Sequence, residues 1–164
     1  MMTTPHIAQQ IDTLLEQQIQ AADSLKHTLE DESNILVKRD FEAIHTLNQQ
    51  KLEQSALLEK LHQEHHYLLK KHGFSYTPDG MNSFINSHPP LLSIQLRQKQ
   101  TSLLALLDNC QKLNTINGTI IAANRHSTET ALTILRGQPT SDGLTYGANG
   151  QSVTVSHSNP LIQA

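Results

Sequence analysis

The sequence contains no tryptophan, a single cysteine and few aromatic residues, and each shortage excludes a class of protein. Aromatic residues make up 4% of the 164 positions, and apolar residues make up 37%. β-Sandwiches and doubly wound sheets need more aromatic and β-branched side chains than this, whereas thin helices that each bury one stripe do not. The lone Cys110 excludes an internal disulfide and a thiolate metal cage, and it is typical of a reducing compartment.

A basic excess, a secretory signal and a long apolar run are also missing. Lys and Arg number 12 against 15 Asp and Glu, so the chain lacks the positive face that binds nucleic acid. The N-terminal residues do not combine a basic start with an apolar run. The longest unbroken apolar run, Leu103 to Leu107, is far shorter than the roughly 20 residues that span a bilayer. The sequence therefore predicts a cytoplasmic protein with no nucleic-acid partner and no membrane insertion.

Helix breakers are almost missing from the first 72 residues, where Pro5 is the only proline and glycine does not occur. This part of the chain should therefore be mostly helix. Its seam residues recur at alternating steps of four and three, as in a coiled coil. The first seam consists of Ile11, Leu15, Gln18, Ala22, Leu25, Leu29, Glu32 and Leu36. Because Leu14, Ala21 and Ile35 widen the seam, the pattern favours a bundle over a two-stranded rope.

The phase of this pattern breaks at residues 38–41, which predicts a helical hairpin. Asp40 is the expected N-cap of the second helix, because its carboxylate can accept hydrogen bonds from the free amides of the first turn. The first two helices are expected over about 6–37 and 40–72. The second should stop at Gly73, a residue that tolerates a left-handed backbone after a helix.

A connector rich in glycine and proline, residues 73–90, leads to a much longer third helix. One helical turn after Asp79 is expected to pack Met81, Phe84 and Ile85 over the end of the bundle. An uninterrupted seam then predicts a helix over about 90–136, roughly 70 Å long, against roughly 48 Å for each of the first two. The predicted fold is all-α: an up-and-down antiparallel bundle over residues 1–137, followed by a flexible C-terminal tail over 138–164.

This difference in helix length has a functional consequence. If the third helix starts beside the end of the second, its last turns have no partner in the hairpin and offer a docking surface. The apolar residues of that segment, which begins near Asn124, are Ala131, Leu132, Ile134 and Leu135. The alternative is that the bundle slides and these residues pack within the chain. Residues 1–72 carry a net charge of -4 and residues 91–137 a net charge of +3, which favours packing of the third helix on the hairpin.

Three asparagines near the third seam, Asn114, Asn117 and Asn124, have two readings. An Asn in a seam weakens packing but fixes the register, because only a polar partner satisfies it. The alternative is direct contact with a partner protein. Both readings remain open for all three residues.

The sequence offers little enzymatic or metal chemistry. His62 and His66 are spaced to share one helix face, but a solvated polar face explains them as well. Glu42-x-x-His45 and Glu59-x-x-His62 fit the short di-iron motif, yet both lie on one helix, which excludes that site. Neither a glycine-rich phosphate loop nor a placed nucleophile occurs. We expect no enzymatic activity, no metal and no cofactor.

The tail contains one aromatic residue, Tyr146, within the segment LTYGANGQ. A tyrosine flanked by glycine suits a peptide anchor that a larger partner recognises, because its amphipathic ring loses little conformational entropy on binding. The following SVTVS alternates at period two and could add as a strand to another sheet. In each case the alternative is that the segment contacts nothing.

Taken together, these motifs resemble the FlgN family of flagellar type III export chaperones. The resemblance rests on Asp40-Phe41-x-x-Ile44 with Lys51, Leu58 and Leu61 downstream, on LLKKHG at 68–73, on Asn114-x-x-Asn117, and on LRG followed by LTYGANGQ. It extends over nearly the whole chain. The Asn-x-x-Asn helix followed by a linker and TYG-x-x-G is its most specific part.

The resemblance implies a cytoplasmic chaperone of hook-associated proteins of the FlgK and FlgL type. In that family the C-terminal helical region binds the clients' terminal helical segments, and a tyrosine beyond it docks on the export gate protein FlhA. Carried over, client binding falls on Asn124 and on Ala131 to Leu135, and gate docking falls on Tyr146 with Gly147 and Gly150. The rival interpretation is a structural coiled-coil adaptor that self-associates, whereas a chaperone should be a monomer or a weak dimer.

Overall fold

The computed structural model describes residues 4–137, 144–146 and 152–154. The helices are α1 (Thr4–Lys38), α2 (Phe41–Lys71), α3 (Pro78–Asn86) and α4 (Pro90–Leu135), and the strands are β1 (Leu144–Tyr146) and β2 (Ser152–Thr154). The expected all-α up-and-down bundle is confirmed, and so is the short helix in the connector. The chain divides into two compact units between Ile121 and Ala122, within α4. The predicted domain boundary after residue 137 stays a prediction.

The turn between α1 and α2 is built by both helix ends. Asp40 is the N-cap of α2, and its Oδ1 accepts a hydrogen bond from the amide of Ala43 at 3.4 Å. Arg39 has a positive φ of 58°, and the amides of Arg39 and Asp40 donate back to the carbonyls of Leu36 and Ile35. These bonds satisfy carbonyls that the last turn of α1 would otherwise leave free. The same pattern at Gly73, with a φ of 83°, ends α2.

Long-range polar contacts define the direction of the helices within the first unit. Lys99 of α4 pairs with Asp12 of α1 at 2.9 Å, and further along both helices the thiol of Cys110 donates to the carbonyl of Ala22 at 3.4 Å. The partners advance together along the two helices, so α1 and α4 run parallel. α2 returns antiparallel to α1, and the three long helices therefore run up, down and up.

The core lies along one stripe of α1 and is closed at one end by α3. The α3 residues Met81, Phe84 and Ile85 are buried, as the connector pattern predicted. They join a cluster that also contains Leu15 of α1 and Leu96 of α4. Burial of an apolar side chain of this size contributes about 1.5–3 kcal/mol, so α3 fixes the spacing of the long helices at this end.

Candidate partner-binding surfaces

A buried polar cluster joins the three long helices. Glu32 of α1 and Asn117 of α4 are 2% and 1% exposed. Glu32 Oε1 accepts from Lys51 Nζ of α2 at 2.7 Å, and Glu32 Oε2 accepts from Asn117 Nδ2, also at 2.7 Å. Asn117 also donates to the carbonyl of Leu29 at 2.9 Å and accepts from the hydroxyl of Ser33. Because a buried carboxylate needs both a counter-ion and hydrogen bonds, we expect this cluster to hold the helices in one register.

The other two asparagines lie in different surroundings. Asn114 is exposed, one turn before Asn117. Asn124 is half-buried, and its carbonyl accepts from the Thr128 hydroxyl at 3.0 Å. Of the three candidates, the structure therefore places Asn117 inside a polar cluster of the bundle and Asn114 at the surface.

The last turns of α4 expose large apolar side chains. Leu132, Ile134 and Leu135 are 43%, 63% and 83% exposed, and Ala131 is exposed beside them. Within this segment Arg125 pairs with Glu129 at 2.8 Å, and the Thr128 and Thr133 hydroxyls donate to carbonyls four residues back. The segment thus has an apolar side, and a partner that covers this side and removes it from water would be bound favourably.

The predicted gate-docking segment falls partly within the described residues. β1 pairs antiparallel with β2, and Tyr146 is opposite Ser152. The SVTVS pattern allows a strand that adds to another sheet, whereas its Ser152–Thr154 part pairs with β1, the strand that contains Tyr146. Gly147 and Gly150 lie outside the described residues.

A histidine cluster on α2 surrounds the ring of Tyr76 from the connector. The ring centroids of His62 and His65 lie 4.9 and 5.3 Å from that of Tyr76, both edge-on, and the centroid of His66 lies 5.1 Å away. The Tyr76 hydroxyl is 3.0 Å from Nδ1 of His62. Sequence reasoning missed this cluster because the spacing of the histidines does not reveal an aromatic partner ten residues downstream. Among the described residues, no group of three or more His, Cys, Asp or Glu is arranged to hold a metal ion.

His65 is the buried member of this cluster, 4% exposed. Its Nδ1 lies 3.1 Å from Oε1 of Gln18 on α1, while its Nε2 has no hydrogen-bond partner among the described residues. Burial, helped by the nearby His62, lowers the pKa of His65 from 6.5 to about 4. The ring is therefore neutral near pH 7, and Nδ1–H can donate to Gln18.

We expect this histidine to make the fold sensitive to acid. The pKa of His65 is 6.5 in the unfolded chain and about 4 in the folded chain. The stability that the neutral ring contributes is therefore fully present above pH 6.5 and is lost as the pH falls towards 4. Between pH 7 and pH 5, the free energy of unfolding should drop by about 2 kcal/mol. His65→Gln should remove this part of the pH dependence. Urea unfolding followed by circular dichroism at both pH values measures it.

The matched control is His126→Gln, at an exposed position of α4. It should retain the pH dependence of the unmodified protein. If His65→Gln retained it as well, another group would have to be responsible for the acid sensitivity.

Cys110 is buried beside α1, where the sequence pattern expects a small apolar seam residue. Burial raises the pKa of its thiol, so the neutral form dominates near pH 7. The burial and the raised pKa of this thiol are typical of a packing group.

Comparison with known families assigns the chain that contains these surfaces to a protein family. The family model described as FlgN protein matches residues 1–154. The chain belongs to the FlgN family. The match confirms the resemblance drawn from the sequence, and it includes both the exposed end of α4 and Tyr146.

Structural comparison agrees with the FlgN assignment. The chain is similar to a crystal structure of a protein assigned as a flagella synthesis protein FlgN from Pseudomonas aeruginosa, with a TM-score of 0.62 and 26% sequence identity. The similarity covers 75% of this chain and 93% of that one. No curated protein matches the sequence. Within the residues that the structure describes, no helix of this FlgN-family chain is both long and apolar enough to cross a membrane.

Proposed function

We propose that this chain is a cytoplasmic flagellar export chaperone for hook-filament junction proteins of the FlgK and FlgL type. It binds their terminal helical segments, prevents premature assembly and delivers them to the export gate. The observation that carries the proposal is the exposed apolar end of α4, at Leu132, Ile134 and Leu135, in a chain of the FlgN family.

The proposed client segment is an amphipathic helix that is disordered while the client is monomeric. Such a segment folds when its apolar face is covered, and each Å² of apolar surface removed from water contributes about 25 cal/mol. α4 presents apolar side chains one turn apart, at Ala131 and Leu135, with Leu132 next to them. This spacing matches the i, i+3, i+4 pattern of a client helix. A covered client helix cannot pair with another client, which is how binding prevents premature assembly.

Delivery is assigned to a separate segment. Tyr146 lies nine residues beyond Gly137, which follows α4, so client binding and gate docking use different parts of the chain. Gly147 and Gly150 follow the tyrosine and allow the backbone there to approach a receptor closely. In this proposal the gate partner is a protein of the FlhA type.

Co-purification tests the proposal as a whole. The chain carrying an affinity tag, passed through a lysate of a flagellated bacterium, should retain hook-associated proteins of the FlgK or FlgL type, identified by mass spectrometry. A variant with the tag but lacking residues 124–137 should not retain them. Retention of other proteins alone, or equal retention by both chains, would contradict the proposal.

A self-associating coiled-coil adaptor is the second candidate, because the exposed side of α4 would also fit a second copy of the chain. Light scattering separates the two functions. The chaperone should be a monomer or a weak dimer before it meets its client, whereas an adaptor should be a stable dimer or tetramer. A stable oligomer that dissociates when Leu135 is replaced by Asp would favour the adaptor.

Substitution of the tail tyrosine should separate delivery from binding. In Tyr146→Ala the chaperone–client complex should remain intact on gel filtration, while secretion of the hook-associated proteins should fall at least about tenfold, the effect of losing a strong interface anchor. Tyr146→Phe, which keeps the ring, is the matched variant and should retain most of the secretion. Loss of the complex in Tyr146→Ala would show that the two roles are wrongly assigned.

A further inference from the structure

A second apolar surface lies in the first unit, between α2 and α4. It is a groove of about 510 Å³, with Leu15 and Leu25 of α1 as its floor. Its walls include Leu58 of α2 and Leu104 of α4. Tyr76 contributes to its lining from the connector. Leu104 is 58% exposed, so an occupant would cover a large apolar side chain that the chain itself leaves in water.

The arrangement of the helices indicates what shape fits. α2 and α4 both pack on α1, and the groove runs between them, which is where a four-helix bundle places its fourth helix. α3 is too short to fill this place, because it has nine residues and closes the end of the core. The floor from Leu15 to Leu25 is about 15 Å long, enough for about ten residues of helix with apolar anchors at i, i+3 or i+4, and i+7.

The charge of the groove indicates which charge a side chain on the flank of such a helix should carry. Among the described residues that line the groove, Glu59 is the only one of the types Asp, Glu, Lys and Arg, and it is exposed at the α2 edge, where its Oε1 accepts from Nε2 of Gln63 at 2.8 Å. The remaining lining residues are apolar side chains, uncharged polar side chains and histidines. A basic residue on the flank of the occupant would therefore meet an acidic partner, whereas an acidic one would be repelled.

We propose that this groove is a second docking site, which seats about ten residues of an amphipathic helix from an export client and pairs a basic residue of that helix with Glu59. The proposal rests on the proposed function for the origin of the helix. It places a second contact on the bundle itself, distinct from the apolar end of α4. Two contacts on one client helical region would raise the affinity without requiring either surface to be large.

Two synthetic peptides test this site by fluorescence anisotropy with the full chain. Each has 14 residues, with leucines at i, i+3, i+4 and i+7, and they differ by one Lys or one Glu on the flank. We expect the Lys peptide to bind about three- to fivefold more tightly than the Glu peptide, the range of a partly exposed ion pair. In Glu59→Lys this preference should reverse.

Groove-wall substitutions locate the binding. Leu104→Glu should weaken binding of the Lys peptide about tenfold, because it places a charge where the peptide buries its apolar face. The matched control is Ile94→Glu, also on α4, at an isoleucine that is 55% exposed and does not line the groove. It should change the affinity less than twofold.

The remaining outcomes separate the groove proposal from the proposed function. Absence of binding to the unmodified chain, or binding without charge preference, rules out the groove proposal directly. If Leu132→Asp with Leu135→Asp abolishes peptide binding while Leu104→Glu does not, the end of α4 is the only helix site and the proposed function survives. If Leu104→Glu instead turns a dimer into a monomer in light scattering, the groove belongs to a second copy. Peptide binding in the groove without co-purified hook-associated proteins would support the groove and contradict the proposed function.

Discussion

Replacing Leu132 and Leu135 together with aspartate should abolish binding of the hook-associated client. Both side chains are exposed, so the folded chain alone gains little from them, and the client would gain their burial. Each leucine that a partner buries contributes about 1.5–3 kcal/mol, and a buried aspartate adds a desolvation cost. The two substitutions together should weaken binding at least about a thousandfold. Isothermal titration with a purified protein of the FlgK type measures the loss, and circular dichroism should show unchanged helix content.

The first turn of the same helix supplies a matched control. Leu91 and Ile94 are also exposed and are also three residues apart, at 74% and 55% exposure. Leu91→Asp with Ile94→Asp therefore adds the same charge to the same helix at its other end. This control should bind the client as the unmodified chain does. Equal loss of affinity in both double variants would mean that added negative charge, and not the end of α4, controls binding.

Asn117→Ala should cause the largest loss of stability among single substitutions outside the apolar core. The change removes three hydrogen bonds, so the buried carboxylate of Glu32 keeps its pairing with Lys51 but loses its amide donor. Unsatisfied buried groups of this kind cost about 2–4 kcal/mol, which corresponds to a fall in Tm of roughly 5–15 °C. Thermal unfolding followed by circular dichroism measures it.

Asn114→Ala, one turn earlier on the same helix, is the matched control. Asn114 is exposed, and substitutions at such positions usually change stability by less than about 0.5 kcal/mol. The informative quantity is the difference in Tm shift between Asn117→Ala and Asn114→Ala. Similar shifts in Tm for both variants would mean that the buried cluster does not hold the register.

Much of the fold could be predicted because each helix carries its own signals. The expected helices over 6–37, 40–72 and 90–136 lie within two residues of α1, α2 and α4. The apolar seam of each long helix repeats within that helix. Asp40 and Gly73 mark the two ends of α2, and a connector with three prolines separates the hairpin from α4. These are local features, and local features are readable from one sequence.

What could not be predicted depends on the register between helices. Glu32, Lys51 and Asn117 all occupy seam positions, but nothing local shows that they meet, since they come from three different helices. The groove beside Leu104 and the packing of Tyr76 against the histidines of α2 could not be predicted for the same reason, because both depend on how separate segments pack together. Only the helix lengths predict the exposure of Leu132 and Leu135, because no residue of that segment signals the lack of a partner.

Hydrogen exchange with mass spectrometry, with and without a purified hook-associated protein of the FlgK type, is the most direct measurement of the client site. The proposal predicts that bound client slows amide exchange in residues 124–135, where the last turns of α4 open most readily in the free chain. Exchange in residues 4–14 of α1, which do not line the groove, should change little. A bound client that leaves exchange in residues 124–135 unchanged would contradict the account.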